Sequence, residues 1–233
     1  MKIIGLDSSG LVAGVALWED GVIRADYTTN YKKTHSQTLL PMLDEIRNMT
    51  DLDMNTIDAI AIAAGPGSYT GLRIGAATAK GLGFALDKPI IEVPTLEGLA
   101  FNLWGTTDVV CPLMDARRQQ VYAGIYDFNP ELNVLMEQSA IPVVDVLEKV
   151  NEIGRPVVFL GDGAPVYRSI IEEKVTAPYR FAPAHRSHQS AASVATLGAM
   201  YFEQGRFVSA ADHAPVYLRK SQAENEGPKD FLI

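Results

Sequence analysis

The residues best placed to do chemistry lie where a strand pattern breaks into a glycine-rich turn. Residues 59–64 form a short apolar run with Ile60 and Ile62 in alternation, a buried-strand pattern. Gly65-Pro66-Gly67-Ser68 interrupts it, and a helix pattern opens at Thr70. A strand, a glycine turn and a helix N-terminus in succession can cradle a phosphate. The nucleotide-binding version closes its loop with Gly-Lys-Ser/Thr, whereas this loop closes with Thr70-Gly71-Leu72-Arg73. Ser68 suits the N-cap position but does not stand in a Gly-x-Ser-x-Gly nucleophile elbow. His35, His185, His188 and His213 include no HxxxH or HExxH pair, so no metal site is expected. Cys111, the only cysteine, sits in the apolar run Val109-Val110-Cys111-Pro112-Leu113 and reads as a small core residue. The spacings bring no acid, base and nucleophile together.

The helix after the turn carries a second pattern. Gly67, Gly71, Gly75, Ala79 and Gly83 fall four apart and so line one ridge. A ridge without side chains lets a neighbouring helix approach closely. Each glycine inside a helix costs about 1 kcal/mol relative to alanine, so tight packing on the ridge must offset that cost. Spacing alone leaves open whether the neighbour is internal or on another chain.

The elements that must position these residues can be read from the hydrophobic pattern. Strand patterns at 2–7, 12–19 and 22–28 precede a helix pattern at 35–48, in which Pro41 should weaken the first turns. The strand and glycine helix follow, then a strand at 90–93 and a helix at 95–103. The second half repeats this order: strands at 109–114, 120–126 and 134–138, a helix at 142–151, a strand at 157–160 and a helix at 164–173. A last helix is expected at 189–204 and a short extended piece at 215–219. Asp7 matches Asp115, each ending a strand. Ala13-Gly14 matches Ala123-Gly124, and Gly65-Pro66-Gly67 matches Gly161-Asp162-Gly163.

Two copies of a βββαβα unit imply an α/β chain of two similar lobes around a cleft, which resembles the actin, Hsp70 and hexokinase (ASKHA) fold. The expected lobes are 1–104 and 105–220, with a polar tail at 221–233 that frays. In active enzymes of that fold, the turns after the first strand of each lobe hold nucleotide phosphates. That makes Asp7, Ser8, Ser9, Arg117 and Arg118 candidate nucleotide or anion contacts. The first turn, Asp7-Ser8-Ser9-Gly10, is only partly suitable, and the second, residues 115–120, has no glycine. The ordinary alternative for Asp7 and Asp115 is turn formation.

Composition narrows the function classes. With 233 residues, 47% of them apolar, the chain can build a real core. Its net charge of −8 argues against tight binding of nucleic acid by itself. It has no apolar stretch long enough to span a membrane and no signal-peptide pattern at its start, so a cytoplasmic setting is expected.

Several segments together resemble the TsaB (YeaZ) family. These are Ile4-Gly5-Leu6-Asp7-Ser8-Ser9, the signature Gly65-Pro66-Gly67-Ser68-Tyr69-Thr70-Gly71-Leu72-Arg73, and Val93-Pro94-Thr95-Leu96-Glu97-Gly98-Leu99-Ala100. Met114-Asp115-Ala116-Arg117-Arg118-Gln119-Gln120-Val121-Tyr122 and Pro215-Val216-Tyr217-Leu218-Arg219 complete the set. The resemblance implies a non-catalytic subunit of the bacterial machinery that makes N6-threonylcarbamoyladenosine next to the anticodon of ANN-decoding tRNAs. It implies pairing with TsaD, support of the ATPase TsaE, contact with tRNA only through the complex, and a homodimer as an alternative when alone. ATP or ADP and metal would belong to the partner complex, with no cofactor required by this chain. TsaD-like proteins carry a metal-binding HxxxH, where this chain has Thr34-His35-Ser36-Gln37-Thr38-Leu39 with one histidine. The family's pairing surface, carried over, is the helices at 35–48 and 70–86, with His35, Gln37, Leu39, Met42, Gly71, Arg73, Gly75 and Ala79 as interface residues. The competing expectation is an enzyme active by itself, either an ASKHA phosphotransferase or a metallo-glycoprotease.

Overall fold

The computed structural model describes residues 1–31 and 35–219; the tail expected at 221–233 lies outside the described residues. The first half begins with β1 (Lys2–Asp7), β2 (Ala13–Glu19) and β3 (Val22–Thr29). Helix α1 (Leu39–Met49), β4 (Ala59–Gly65), α2 (Tyr69–Leu86), β5 (Ile90–Pro94) and α3 (Thr95–Phe101) follow. The second half runs β6 (Val109–Asp115), β7 (Gln120–Phe128), β8 (Leu132–Pro142), α4 (Val143–Ile153) and β9 (Val157–Leu160). It closes with α5 (Gly163–Val166), α6 (Arg168–Lys174), β10 (Tyr179–Phe181) and α7 (Ala191–Glu203).

The duplication is present in the sheets. The first has the order β3-β2-β1-β4-β5 and the second the order β8-β7-β6-β9-β10, so each strand has a counterpart in the other half. The register corrects one expected match. Asp7 lies opposite Gly14 and Asp115 opposite Val121, while Ala123 lies opposite Leu113. Ala13-Gly14 therefore corresponds to Gln120-Val121, not to Ala123-Gly124.

Three apolar cores stack through the molecule. One packs α1 and α2 on the outer face of the first sheet, with Leu39, Leu43, Ile46, Ile60 and Ile62 at its centre. One packs α4 and α6 on the outer face of the second. The third lies between the sheets and contains α3 and α7. Helix α7 comes from the second half of the chain but lies on β1, β2, β4 and β5 of the first sheet. It approaches closely because both surfaces are small. A Cβ on Gly5 would come within 2.7 Å of the Ala195 Cβ, and one on Gly198 within 2.5 Å of the Ala61 Cβ.

Local chemistry sets the element ends. Pro41 falls in the first turn of α1, which begins after a short 3-10 turn at His35–Gln37, so the expected helix at 35–48 is split there. The single helix expected at 164–173 is two, broken at Tyr167. Among the described residues no helix is long and apolar enough to cross a membrane.

Candidate functional site

The cleft between the lobes opens beside the turns that follow β1 and β6. It encloses about 470 Å³ and is lined by Ser9, His35, Ser68, Asp115, Arg117 and Asp162, among others. The first turn folds inward. Asp7 is 3% exposed, and its Oδ1 accepts from the Ser9 backbone N (2.9 Å) and the Ser9 Oγ (2.7 Å). Burial pushes the Asp7 carboxyl up to about 6, against the pull of the Ser9 hydrogen bonds and the charge of His35. Asp7 thus forms the turn rather than facing the cleft.

That turn also occupies the start of α2. The Ser8 Oγ donates to the Gly71 carbonyl (2.9 Å), and the Ser9 carbonyl accepts from the Ser68 amide (2.7 Å). The Gly71 amide is taken by its cap, the Ser68 Oγ, at 3.3 Å. A Cβ on Gly67 would overlap the Ser9 carbonyl, one on Gly71 the Ser8 carbonyl, and one on Gly75 the Ser8 Oγ. The glycine ridge is therefore filled by the β1–β2 turn of the same lobe. This corrects both expectations for the ridge: its neighbour is neither a helix nor bare solvent awaiting a second chain. Gly83, further along, faces Ala210 and the Lys88 carbonyl.

The second turn is built differently. Asp115 Oδ1 accepts from the Arg117 amide (2.9 Å) and from the Tyr167 hydroxyl (2.9 Å). The Asp115 amide donates to Asp162 Oδ1 (3.2 Å). Burial, with the neighbouring Asp115 charge, raises the Asp162 carboxyl above its ordinary value. Arg117, Arg118 and Gln119 all have left-handed φ, at 66°, 55° and 59°. The turn closes through Ala116 N to Gln120 O (3.0 Å) and Gln120 N to Arg117 O (3.1 Å). The Arg117 side chain is 87% exposed and pairs with Asp115 at 3.3 Å.

Of the five candidate anion contacts, only Ser9 and Arg117 line the same cleft; Asp7, Ser8 and Arg118 do not. Asp7, Ser8 and Ser9 are buried and Arg117 and Arg118 are exposed. The Ser68 and Asp115 amides, which a phosphate would use, are occupied from within the chain. His35 Nε2 lies 2.9 Å from the Gly10 carbonyl. Among the described residues no three His, Cys, Asp or Glu side chains come together as a metal ligand set.

The eight residues carried over as interface candidates divide by burial. Leu39 (1% exposed), Met42 (5%), Gly71, Gly75 and Ala79 sit in the lobe's own core. This corrects their assignment as surface contacts, since their apolar packing is satisfied by β1, β2 and β4. His35 is half-buried, and Gln37 and Arg73 are exposed. The solvent face of α2 presents Tyr69, Arg73, Ala77 and Phe84 instead. The Tyr69 ring is held by Tyr217 at 5.0 Å and by the Arg73 guanidinium at 5.1 Å, whose Nη1 donates to the Tyr69 hydroxyl (3.1 Å). Periodicity gave no sign of Tyr217, because no regular element carries it; only its place in the Pro215–Arg219 motif marked it.

Two like-ordered sheets, a middle layer of crossing helices and a cleft beside paired Asp turns define a two-lobed protein of the ASKHA fold. An inorganic polyphosphate/ATP-glucomannokinase from Arthrobacter shares that fold at TM-score 0.51 and 11% identity, over 87% of this chain and 99% of that one. A family model described as TsaD, tRNA N6-adenosine threonylcarbamoyltransferase, matches residues 23–226. The tRNA threonylcarbamoyladenosine biosynthesis protein TsaB of Bacillus subtilis is 34% identical over 225 residues, 96% of each chain. YeaZ from Pseudomonas aeruginosa superposes at TM-score 0.77 and 26% identity, over 93% of this chain and 99% of its own. The chain belongs to the TsaB (YeaZ) family.

Proposed function

We propose that this chain is a non-catalytic subunit in the biosynthesis of tRNA threonylcarbamoyladenosine, where it pairs with TsaD and supports TsaE. The observation that carries the reading is that backbone amides beside both turns are already taken from within the chain: Ser68 by the Ser9 carbonyl, Gly71 by the Ser68 Oγ and Asp115 by Asp162. Nucleotide and metal then reside with the partners. The −8 charge fits a subunit that meets tRNA only within a complex, since phosphate neutralisation dominates nucleic-acid affinity.

Pairing falls to the turn at 35–37 and the solvent faces of α1 and α2, with Gln37, Leu40, Tyr69, Arg73 and Phe84 as the contact residues. Exposed Tyr and Arg side chains are the types that most often dominate binding energy. The test is reconstitution of threonylcarbamoylation on an ANN-decoding tRNA with TsaD and TsaE, with and without this chain. Product should require the chain, the chain alone should turn over neither ATP nor tRNA, and Arg73→Glu should weaken pairing without lowering the melting temperature. ATP or transfer turnover by the chain alone, abolished by Asp7→Asn, would overturn the proposal.

A further inference from the structure

After α7 the chain turns back across the first lobe and makes an unusual series of contacts. Val208 exchanges two backbone hydrogen bonds with Ile90, each 2.9 Å. Lys80 Nζ then caps the Ala211 and His213 carbonyls at 2.9 and 2.8 Å. The His213 ring is buried, with Nδ1 2.7 Å from Glu92 Oε1. The Val216 amide donates to the Ala64 carbonyl (2.7 Å) at the end of β4, and the Val216 carbonyl fills the space where a Cβ on Gly65 would lie. The Tyr217 ring packs at a tilt against Tyr69, the first residue of α2. Arg219 Nη1 finally donates to the Ala116 carbonyl (2.6 Å), in the turn after β6 of the second lobe.

These residues therefore touch both walls of the cleft. Ser68, next to Tyr69, lines one wall, and Ala116 lines the other. Gln138 of β8 adds a second polar link by donating to the Gly65 carbonyl (3.2 Å). We propose that residues 213–219 form a latch, which couples the first turn of α2 to the 115–119 turn across the cleft. A contact made on the exposed Tyr69–Tyr217 pair is then felt in the far wall, and filling the cleft is felt at the start of α2. The latch goes beyond the pairing proposed above and stands whichever molecule the α2 face meets.

Amide hydrogen exchange on the full chain tests this with two variants. Arg219→Ala removes the link to the second lobe, and Tyr217→Ala removes the contact with the first turn of α2 while keeping Arg219 and the Lys80 bonds. Exchange at residues 116–120 should rise about tenfold in Arg219→Ala, equivalent to about 1.4 kcal/mol in local opening. It should rise at least about threefold in Tyr217→Ala. In both variants the amides of β9, in the same lobe, should keep the wild-type rate. An unchanged rate at 116–120 in Arg219→Ala would overturn the latch. So would an unchanged rate there in Tyr217→Ala, which would reduce the link to one isolated hydrogen bond. A uniform rise across the second sheet would also overturn it, as general loosening rather than coupling.

Discussion

Three alanine substitutions along α2 separate the roles of its glycines. At Gly71 a Cβ would overlap the backbone carbonyl of Ser8, which cannot move without dragging the β1–β2 turn. Overpacking of this kind costs about 1–3 kcal/mol, here toward the upper end. Alanine returns about 1 kcal/mol of helix propensity, so the net loss is about 2 kcal/mol. For a chain of this size that lowers the melting temperature by about 4–8 °C. At Gly75 the Cβ meets the Ser8 Oγ, which can rotate away at the expense of its bond to the Gly71 carbonyl. That bond is worth about 1 kcal/mol, so Gly75→Ala should fall near neutral. At Gly81 nothing lies within 4 Å, and alanine should raise the melting temperature by about 2–4 °C. Differential scanning calorimetry on the isolated chain measures all three. A Gly71→Ala protein as stable as wild type would refute the packing account and return the ridge to use by another chain.

Other outcomes follow from individual residues. The folded pKa of Asp7, about 6, lies above its unfolded value of 3.8. Its contribution is therefore full below about pH 4 and is lost as pH rises through 6. Relative to wild type, Asp7→Asn should gain about 2 kcal/mol between pH 4 and 7, read by urea unfolding at each pH; a constant difference would refute the shift. Cys111 is buried and its thiol is pushed well above the ordinary range by desolvation. A thiol reagent at pH 8 should label it only in denaturant. Ser68→Ala removes the cap on Gly71 and should cost about 0.5–2 kcal/mol, measured by the same unfolding series.

Most elements were legible because their signals are local. The alternation in 59–64, the Ser68 cap and the βββαβα repeat each rest on a few adjacent residues, and β4, α2 and the two sheets carry them. What was not legible depended on distant partners. The four-residue spacing located the ridge correctly, but nothing in it says which residues lie opposite; Ser8, 63 positions from Gly71, does. The hydrophobic faces of α1 told that Leu39 and Met42 are apolar, and burial in the lobe's own core then removed them from the surface. The Ala-Gly match failed because composition does not fix strand register, which depends on the length of the turn before it. β10 is three residues long, too short for any periodicity to show.

The position of α7 has a consequence for the order in which the molecule can be made. The covering of β1 and β4 is supplied by α7, the last helix among the described residues, although the strands it covers are among the first made. Synthesis runs at about 5–20 residues per second. The roughly 100 residues between β5 and α7 therefore take about 5–20 seconds. Throughout that interval the inner face of the first sheet, with Ala61, Ile91 and Val93, lacks its native cover. The first sheet can therefore reach its native packing only after α7, contributed by the second half of the chain, has been made.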